Sequence, residues 1–409
     1  MPKERAVKEV VVVGGNFAGM TAAFEVHRHF KKNVHVTMIS KIKEFVYIPS
    51  LIWVPFGRRK AEDISFDVEP ILKKRGMDFI HDEVVKVLPE QNKVLTKSGK
   101  EIAYDELVLA TGAELKWDAV PGLGPKGHTR SIFTPAHATA TYAAWQEFVK
   151  NPGPAVVGAA PGASCMGAGY EYLMNLEHYC RKAKIRDKVK VTWITPEPYL
   201  GHFGIGGMPG GENLLKKFFK MLDIDFRADA AITEIKENSV VLSTGEEIPA
   251  KWKMLVPPFV GQKYVFDSPG LGDEKGFITT DEGYRHIKYK NIWGAGLSVA
   301  VPNPFKGEGH VPFGVPKTGY PSDEMGKVVA KNIKKTTGGD REMHFLPFGR
   351  IAGLCILDGG NKEMIIFSDH LYAPRKIAFI LPDPTGDLGK WMLEKYFLFK
   401  AKHGISWAL

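Results

Sequence analysis

A short β-branched run, Glu9 to Val13, enters the turn Gly14-Gly15-Asn16-Phe17-Ala18-Gly19 and leaves it as a helical stretch, Met20 to Phe30. A second strand pattern follows from Asn33 to Ser40. This is a βαβ unit with its glycines placed between strand and helix. Such a turn aims the free N–H groups of a helix N-terminus at a pyrophosphate. The second glycine of the G-x-G-x-x-G fingerprint is replaced by Asn16. The strand end offers Ser40 and Lys41, where an acid usually binds the adenosine ribose. Gly14, Gly15, Asn16, Ala18, Gly19, Ser40 and Lys41 are therefore candidate cofactor contacts, on a fingerprint too degenerate to stand alone.

Three later segments strengthen the reading. Tyr104 to Ala113 is a strand ending in Ala110-Thr111-Gly112, and it resembles the return strand of flavoproteins with two dinucleotide domains. A second glycine turn runs from Gly158 to Ala163. Asn291-Ile292-Trp293-Gly294-Ala295-Gly296 resembles the strand that closes the FAD site in that superfamily. Thr111, Gly112 and Gly296 join the candidate contacts. Gly296 is followed by Leu297 and not by the aspartate that usually binds the ribityl chain. The order of these segments predicts an α/β chain with two interleaved Rossmann-like dinucleotide-binding domains. Residues 1–125 and 270–335 would form the FAD-binding domain, and 150–265 the second. Residues 340–409 would be a C-terminal extension of membrane-associating helices.

The chain of 409 residues is long enough for two or three domains. Three cysteines are too few for a disulfide framework. The net charge of +9 suits an anionic lipid surface or a small anion. Nucleic acid is not expected, because no Lys/Arg block with interleaved aromatics occurs. The N-terminus enters an apolar strand at once, without the pattern of a signal peptide. No stretch of about 18 uninterrupted apolar residues occurs. The expected location is peripheral, on the cytoplasmic side of a membrane.

The second turn departs from its fingerprint in a telling way. Ala160 stands where a glycine would let a nicotinamide cofactor's pyrophosphate approach, and Pro161 removes an N–H donor. Cys165 then falls where the following helix begins, a place that favours thiolate. This unit is expected to hold a reactive sulfur and no nicotinamide. Cys355 lies 190 residues further on, in the apolar stretch Ile351 to Leu357, so only folding can bring the two together. Cys180 is expected to be structural.

Taken with Ile48-Pro49-Ser50-Leu51, Gly162-Ala163-Ser164-Cys165, Gly201-His202-Phe203-Gly204, Pro257-Pro258, Pro316-Lys317-Thr318-Gly319-Tyr320 and Lys395-Tyr396-Phe397-Leu398-Phe399-Lys400, nearly the whole chain resembles the sulfide:quinone oxidoreductases. The resemblance implies a membrane-associated FAD enzyme that oxidises hydrosulfide to polysulfide or zero-valent sulfur. Its electrons would pass to a membrane quinone. Cys165 and Cys355 match the family's redox pair, bridged by two sulfurs or more. Lys317 matches a lysine beside the flavin ring, with Gly319 in the same segment. His202 and His137 match histidines of proton handling. Phe133 stands where many members carry a third cysteine, so FAD is expected to be held without a covalent bond. Residues 389–409, rich in aromatics and lysines, would meet the membrane, with Phe397 stacking on the quinone. A homo-oligomer is compatible with this reading. Two alternatives stay open: the flavin subunit of a flavocytochrome c sulfide dehydrogenase and a type II NADH:quinone dehydrogenase.

Overall fold

The computed structural model describes residues 9–339, 342–360, 362–383 and 387–406. The N-terminal eight residues and residues 407–409, including Trp407, lie outside them. In chain order the main elements are β1 (Glu9–Val13), α1 (Phe17–Phe30), β2 (His35–Ser40), β3 (Asp78–His81), β4 (Glu106–Leu109), α2 (Pro135–Lys150), β5 (Ala155–Ala159), α3 (Met166–Lys182) and β6 (Val191–Ile194). There follow β7 (Ile224–Arg227), β8 (Trp252–Val256), β9 (Ile292–Gly294), α4 (Gly319–Thr337), β10 (Gly353–Asp358), β11 (Glu363–Ser368), β12 (Ala378–Asp383) and α5 (Leu388–His403). Further strands, helices and turns lie between them.

The first sheet has the order β9-β4-β1-β2-β3, and every pairing is parallel. Its central strands are unbroken apolar runs, Val10 to Val13 and Leu107 to Leu109, because both faces are covered. Helix α1 packs against α4, and Gly326 sets how closely. A Cβ at Gly326 would stand 2.6 Å from the Ala18 carbonyl oxygen. The second sheet, β7-β6-β5-β8, is also parallel. Helix α3 covers it, with the Tyr170 ring 4.3 Å from that of Trp193. The chain completes this second sheet before returning through β9 and α4 to the first, so the two α/β units are interleaved.

The C-terminal part corrects an expectation. It is a three-stranded antiparallel sheet, β10-β11-β12, followed by the single helix α5. The β-branched and aromatic run Met364-Ile365-Ile366-Phe367 explains the strand preference. Helix α5 buries charged side chains beside the apolar Phe397, Leu398 and Ala401 and exposes several large apolar ones. Lys390, Glu394 and Lys400 are buried, while Leu388, Trp391, Met392 and Phe399 are 44–57% exposed. Lys390 pairs with Glu171, and Lys400 bonds Asp323 at 2.5 Å. Glu394 accepts from the Ser50 hydroxyl at 2.8 Å and from Arg59 at 3.2 Å. Lys390 and Lys400 therefore face the protein and not the lipid headgroups, as the aromatic-and-lysine pattern had suggested. Breaking a buried pair leaves an uncompensated charge, so these pairs hold the apolar face of α5 outward.

Candidate active site

The first glycine turn forms a cradle. Gly14 has φ +110°, and a Cβ there would lie 2.3 Å from the Ala110 carbonyl oxygen, so only glycine fits. Asn16 replaces the missing glycine with a cap: its side chain accepts from the Phe17 N–H at 2.9 Å and donates to the Val46 carbonyl at 3.2 Å. Ala18 and Gly19 open α1 behind it. Gly15 faces Ser40, whose hydroxyl is spent in a local turn on the Ile42 carbonyl at 2.7 Å. Lys41 is exposed and pairs with Glu83 at 3.4 Å. The Thr111 hydroxyl meets Tyr264 at 3.1 Å, while Gly112 looks into open space. Gly296 and Gly319 close the other side, against Ala18 and the Phe17 ring respectively.

Lys317 is half-buried beside this cradle, with its ammonium closely enclosed. Its ammonium donates to the carbonyls of Leu297 at 3.3 Å and Val299 at 3.2 Å and lies 3.3 Å from the centre of the Phe277 ring. Burial pushes its pKa down to about 7, with weak opposition from Asp273. A cation held by two carbonyls and an aromatic face is placed to meet an electron-rich partner. Leu297, which replaces the ribityl-binding aspartate, thus contributes its backbone to holding the lysine.

Cys165 caps the N-terminus of α3, and Cys355 lies on β10, the strand packed against α3. Both thiols are free. Cys355 touches solvent, yet protein surrounds it closely enough that desolvation pushes its thiol up to about 12, helped by the charges of Glu171 and Cys165. Desolvation likewise lifts Cys165 to about 11, against a lowering bond from the Ala168 N–H. This overturns the expectation of a depressed thiol at a helix N-terminus: burial outweighs the helix end. Cys180 is fully buried, away from both.

Glu171, one and a half turns after Cys165 on α3, is a residue the sequence reading missed. It accepts from the Asp358 N–H at 3.1 Å and from Lys390. Burial raises its carboxyl to about 7, and its charge bears on both cysteines and on Tyr47. The available signal was an acid on the otherwise apolar face of a helix that begins with a cysteine.

The two candidate histidines occupy different settings. His202 is fully buried among the rings of Tyr199, Phe305 and Phe313. Its Nδ1 accepts from the Gly204 N–H at 3.2 Å, which assigns the ring proton to Nε2, 3.0 Å from Glu308. Desolvation lowers its pKa, partly opposed by Glu308. His137 sits in the first turn of α2, 3.2 Å from the Ser131 hydroxyl and edge-on to Trp117. Among the described residues its partners include neither cysteine nor His202.

The second glycine turn is filled by the chain itself. The Gly162 N–H donates to the Pro312 carbonyl at 2.5 Å, and the Ala163 carbonyl accepts from Gly314 at 2.8 Å. Segment 312–314 therefore covers the edge that a nicotinamide dinucleotide would need.

Comparison with known proteins agrees with this geometry. The pattern of the pyridine nucleotide-disulphide oxidoreductases matches residues 8–305. A sulfide-quinone reductase of Aquifex aeolicus is 35% identical over 97% of this chain and 92% of its own. The chain belongs to the sulfide-quinone reductase family. The X-ray structure of the Aquifex aeolicus sulfide:quinone oxidoreductase superposes with a TM-score of 0.92 at 34% identity, over 97% of this chain and 92% of that one. A mitochondrial sulfide:quinone oxidoreductase of Dictyostelium discoideum is 30% identical over 73% of this chain and 67% of its own.

Sulfide-quinone reductases are FAD flavoproteins that use quinone as acceptor. The cradle fits that group: a glycine turn at a helix N-terminus, open space over Gly112 and a buried ammonium at Lys317. Phe133 stacks edge-on to Phe259 at 6.4 Å, so no thiol stands there to anchor a flavin. Phe397 corrects the quinone assignment. Its ring packs on Phe17 at 5.6 Å and Tyr47 at 5.8 Å, beside a cavity of about 10 Å³. That space holds no more than a water, so this ring offers a quinone no free face.

Proposed function

We propose that this protein oxidises sulfide at Cys165 and Cys355 and passes the electrons through FAD to a membrane quinone. The observation that carries the cysteine assignment is their meeting across α3 and β10, close enough for each thiol environment to include Glu171. Hydrosulfide attacks Cys165 in the bridged pair. The sulfur–sulfur bond breaks, Cys165 keeps the new sulfur as a persulfide, and Cys355 leaves as thiolate. The incoming sulfur gives up the two electrons that reduce the bridge. FAD, when bound, supplies the two-electron acceptor that restores the pair. Each further hydrosulfide, accompanied by another two-electron reoxidation of the pair, lengthens the chain until polysulfide leaves.

Two features support this cycle. Once formed, a thiolate of raised pKa is the stronger nucleophile, which favours its attack on the electron acceptor. Glu171, lifted to about 7, is divided between its acid and base forms near neutral pH and stands ready to take the proton of the bound hydrosulfide. His202 offers a second outlet, from Nε2 to the half-exposed Glu308.

The finer statement of location rests on α5. Among the described residues no helix is long and apolar enough to cross a membrane. Leu388, Trp391, Met392 and Phe399 are exposed on α5, Ile377 and Leu381 are exposed in the C-terminal sheet region, and Lys395 and Lys402 are at the surface. This surface suits shallow insertion at a lipid headgroup boundary. The deciding experiment for the reaction is the visible spectrum of the flavoprotein, without oxygen. Flavin bands should bleach with sulfide and return with a soluble quinone; bands that ignore sulfide would overturn the function.

A further inference from the structure

Glu197 lies just beyond the end of β6, where a dinucleotide-binding domain keeps the acid that holds a ribose. Here the carboxylate faces inward and is fully buried. Its Oε1 accepts from the Phe203 N–H at 2.6 Å. Its Oε2 accepts from the Tyr170 hydroxyl at 2.8 Å and the Thr195 hydroxyl at 2.7 Å. Among the described residues no lysine or arginine pairs with it. Three donors and no cation leave it no free site for a ribose.

The turn it holds is strained. Phe203 has φ +55°, a left-handed conformation in which a phenylalanine Cβ crowds its own carbonyl. The 2.6 Å bond to the buried Glu197 Oε1 lands on the N–H of this strained residue. The other side of the turn is tied to the same network, because the Gly201 N–H donates to the Tyr170 oxygen at 3.0 Å. His202 stands between Gly201 and Phe203. Its two neighbours are thus fastened to one buried carboxylate–tyrosine pair, and its Nε2 is held 3.0 Å from Glu308.

We propose that Glu197 is a positioning residue for His202: the acid of a vacated nucleotide site fastens both sides of the histidine's turn and so aims its ring. This rests on the reading that His202 moves protons during sulfide oxidation. It also accounts for an uncompensated buried acid and a left-handed phenylalanine in one place.

The test separates the two half-reactions by stopped-flow absorbance, in wild-type holoenzyme and in Glu197→Gln, His202→Ala and the double variant. Glu197→Gln should slow flavin reduction by sulfide about 10- to 100-fold, the range typical of an orienting partner. Reoxidation by quinone and FAD content should stay at wild-type values. In the His202→Ala background the same change should add nothing, since it acts only through the histidine. Thr195→Val removes one donor to Glu197 at nearly constant volume and should give a smaller slowing of the same half-reaction; it decides the matter should Glu197→Gln not fold. A wild-type sulfide rate in Glu197→Gln, or losses that multiply in the double variant, would overturn the proposal. A wild-type sulfide rate in His202→Ala would remove the histidine's role and this proposal with it, while leaving sulfide oxidation itself standing. Wild-type flavin that ignores sulfide would instead overturn the function.

Discussion

Replacing Lys317 with methionine deletes a charge from a place where the fold disfavours it. The ammonium is almost wholly enclosed, and its pKa falls from 10.5 to about 7. That difference sets a ceiling of about 5 kcal/mol on what holding the charge costs the FAD-free protein at pH 7. The sign follows from linkage. The folded pKa lies below the unfolded one, so between pH 7 and about 10 the unfolded chain binds the extra proton. Stability of the FAD-free protein therefore rises with pH through that window. Lys317→Met, of similar length and uncharged, should be more stable than wild type at pH 7 when FAD is removed, with the gap closing toward pH 10. Toward FAD the effect runs the other way. Loss of a hydrogen bond from a charged donor, about 1.5–3 kcal/mol, weakens FAD binding about 10- to 150-fold. Urea unfolding of FAD-free protein at pH 7 and 9.5, with a flavin fluorescence titration, reads both. Equal FAD-free stabilities at pH 7, or equal FAD affinities, would refute the reasoning.

Four further outcomes are expected. Cys355→Ser should bind FAD and be reoxidised by quinone yet lose bleaching by sulfide; bleaching at the wild-type rate would remove Cys355 from the reaction. Glu171→Gln removes a negative charge that raises both thiols, so the pH profile of Cys165 and Cys355 alkylation should move to lower pH; an unmoved profile would contradict the electrostatic assignment. Trp391→Glu with Phe399→Glu replaces two exposed apolar side chains of α5. Each should weaken sedimentation with anionic vesicles by about 10-fold or more, given about 1.5–3 kcal/mol per large apolar group buried, while thermal stability is unchanged. NADH should leave the flavin oxidised, because Pro312 and Gly314 occupy the second turn; bleaching by NADH would show that segment opening.

The sequence by itself determined the two α/β units and their interleaving, because local rules govern them. Apolar runs bounded by glycine turns read directly as buried parallel strands, and Gly14 fits where no side chain can. Ala160 and Pro161 were legible as departures at the second turn, and the structure adds the Pro312 carbonyl bonded to the Gly162 N–H there. What the tertiary structure decided concerns burial and charge. Cys165 sits at a helix N-terminus, as its position after the turn implied, yet its thiol is raised, because desolvation depends on everything packed around it. Lys390 and Lys400 of α5 read as headgroup contacts until their partners Glu171 and Asp323, over 200 and over 70 residues away in the chain, were seen to draw them inward. Phe397 and the strands before α5 were misjudged for the same reason: an aromatic in a terminal segment carries no local mark of which face it will present. Glu171 and Glu197 are acids without a motif. Each acquires its role only when folding strips away water and leaves its carboxylate with a few specific donors.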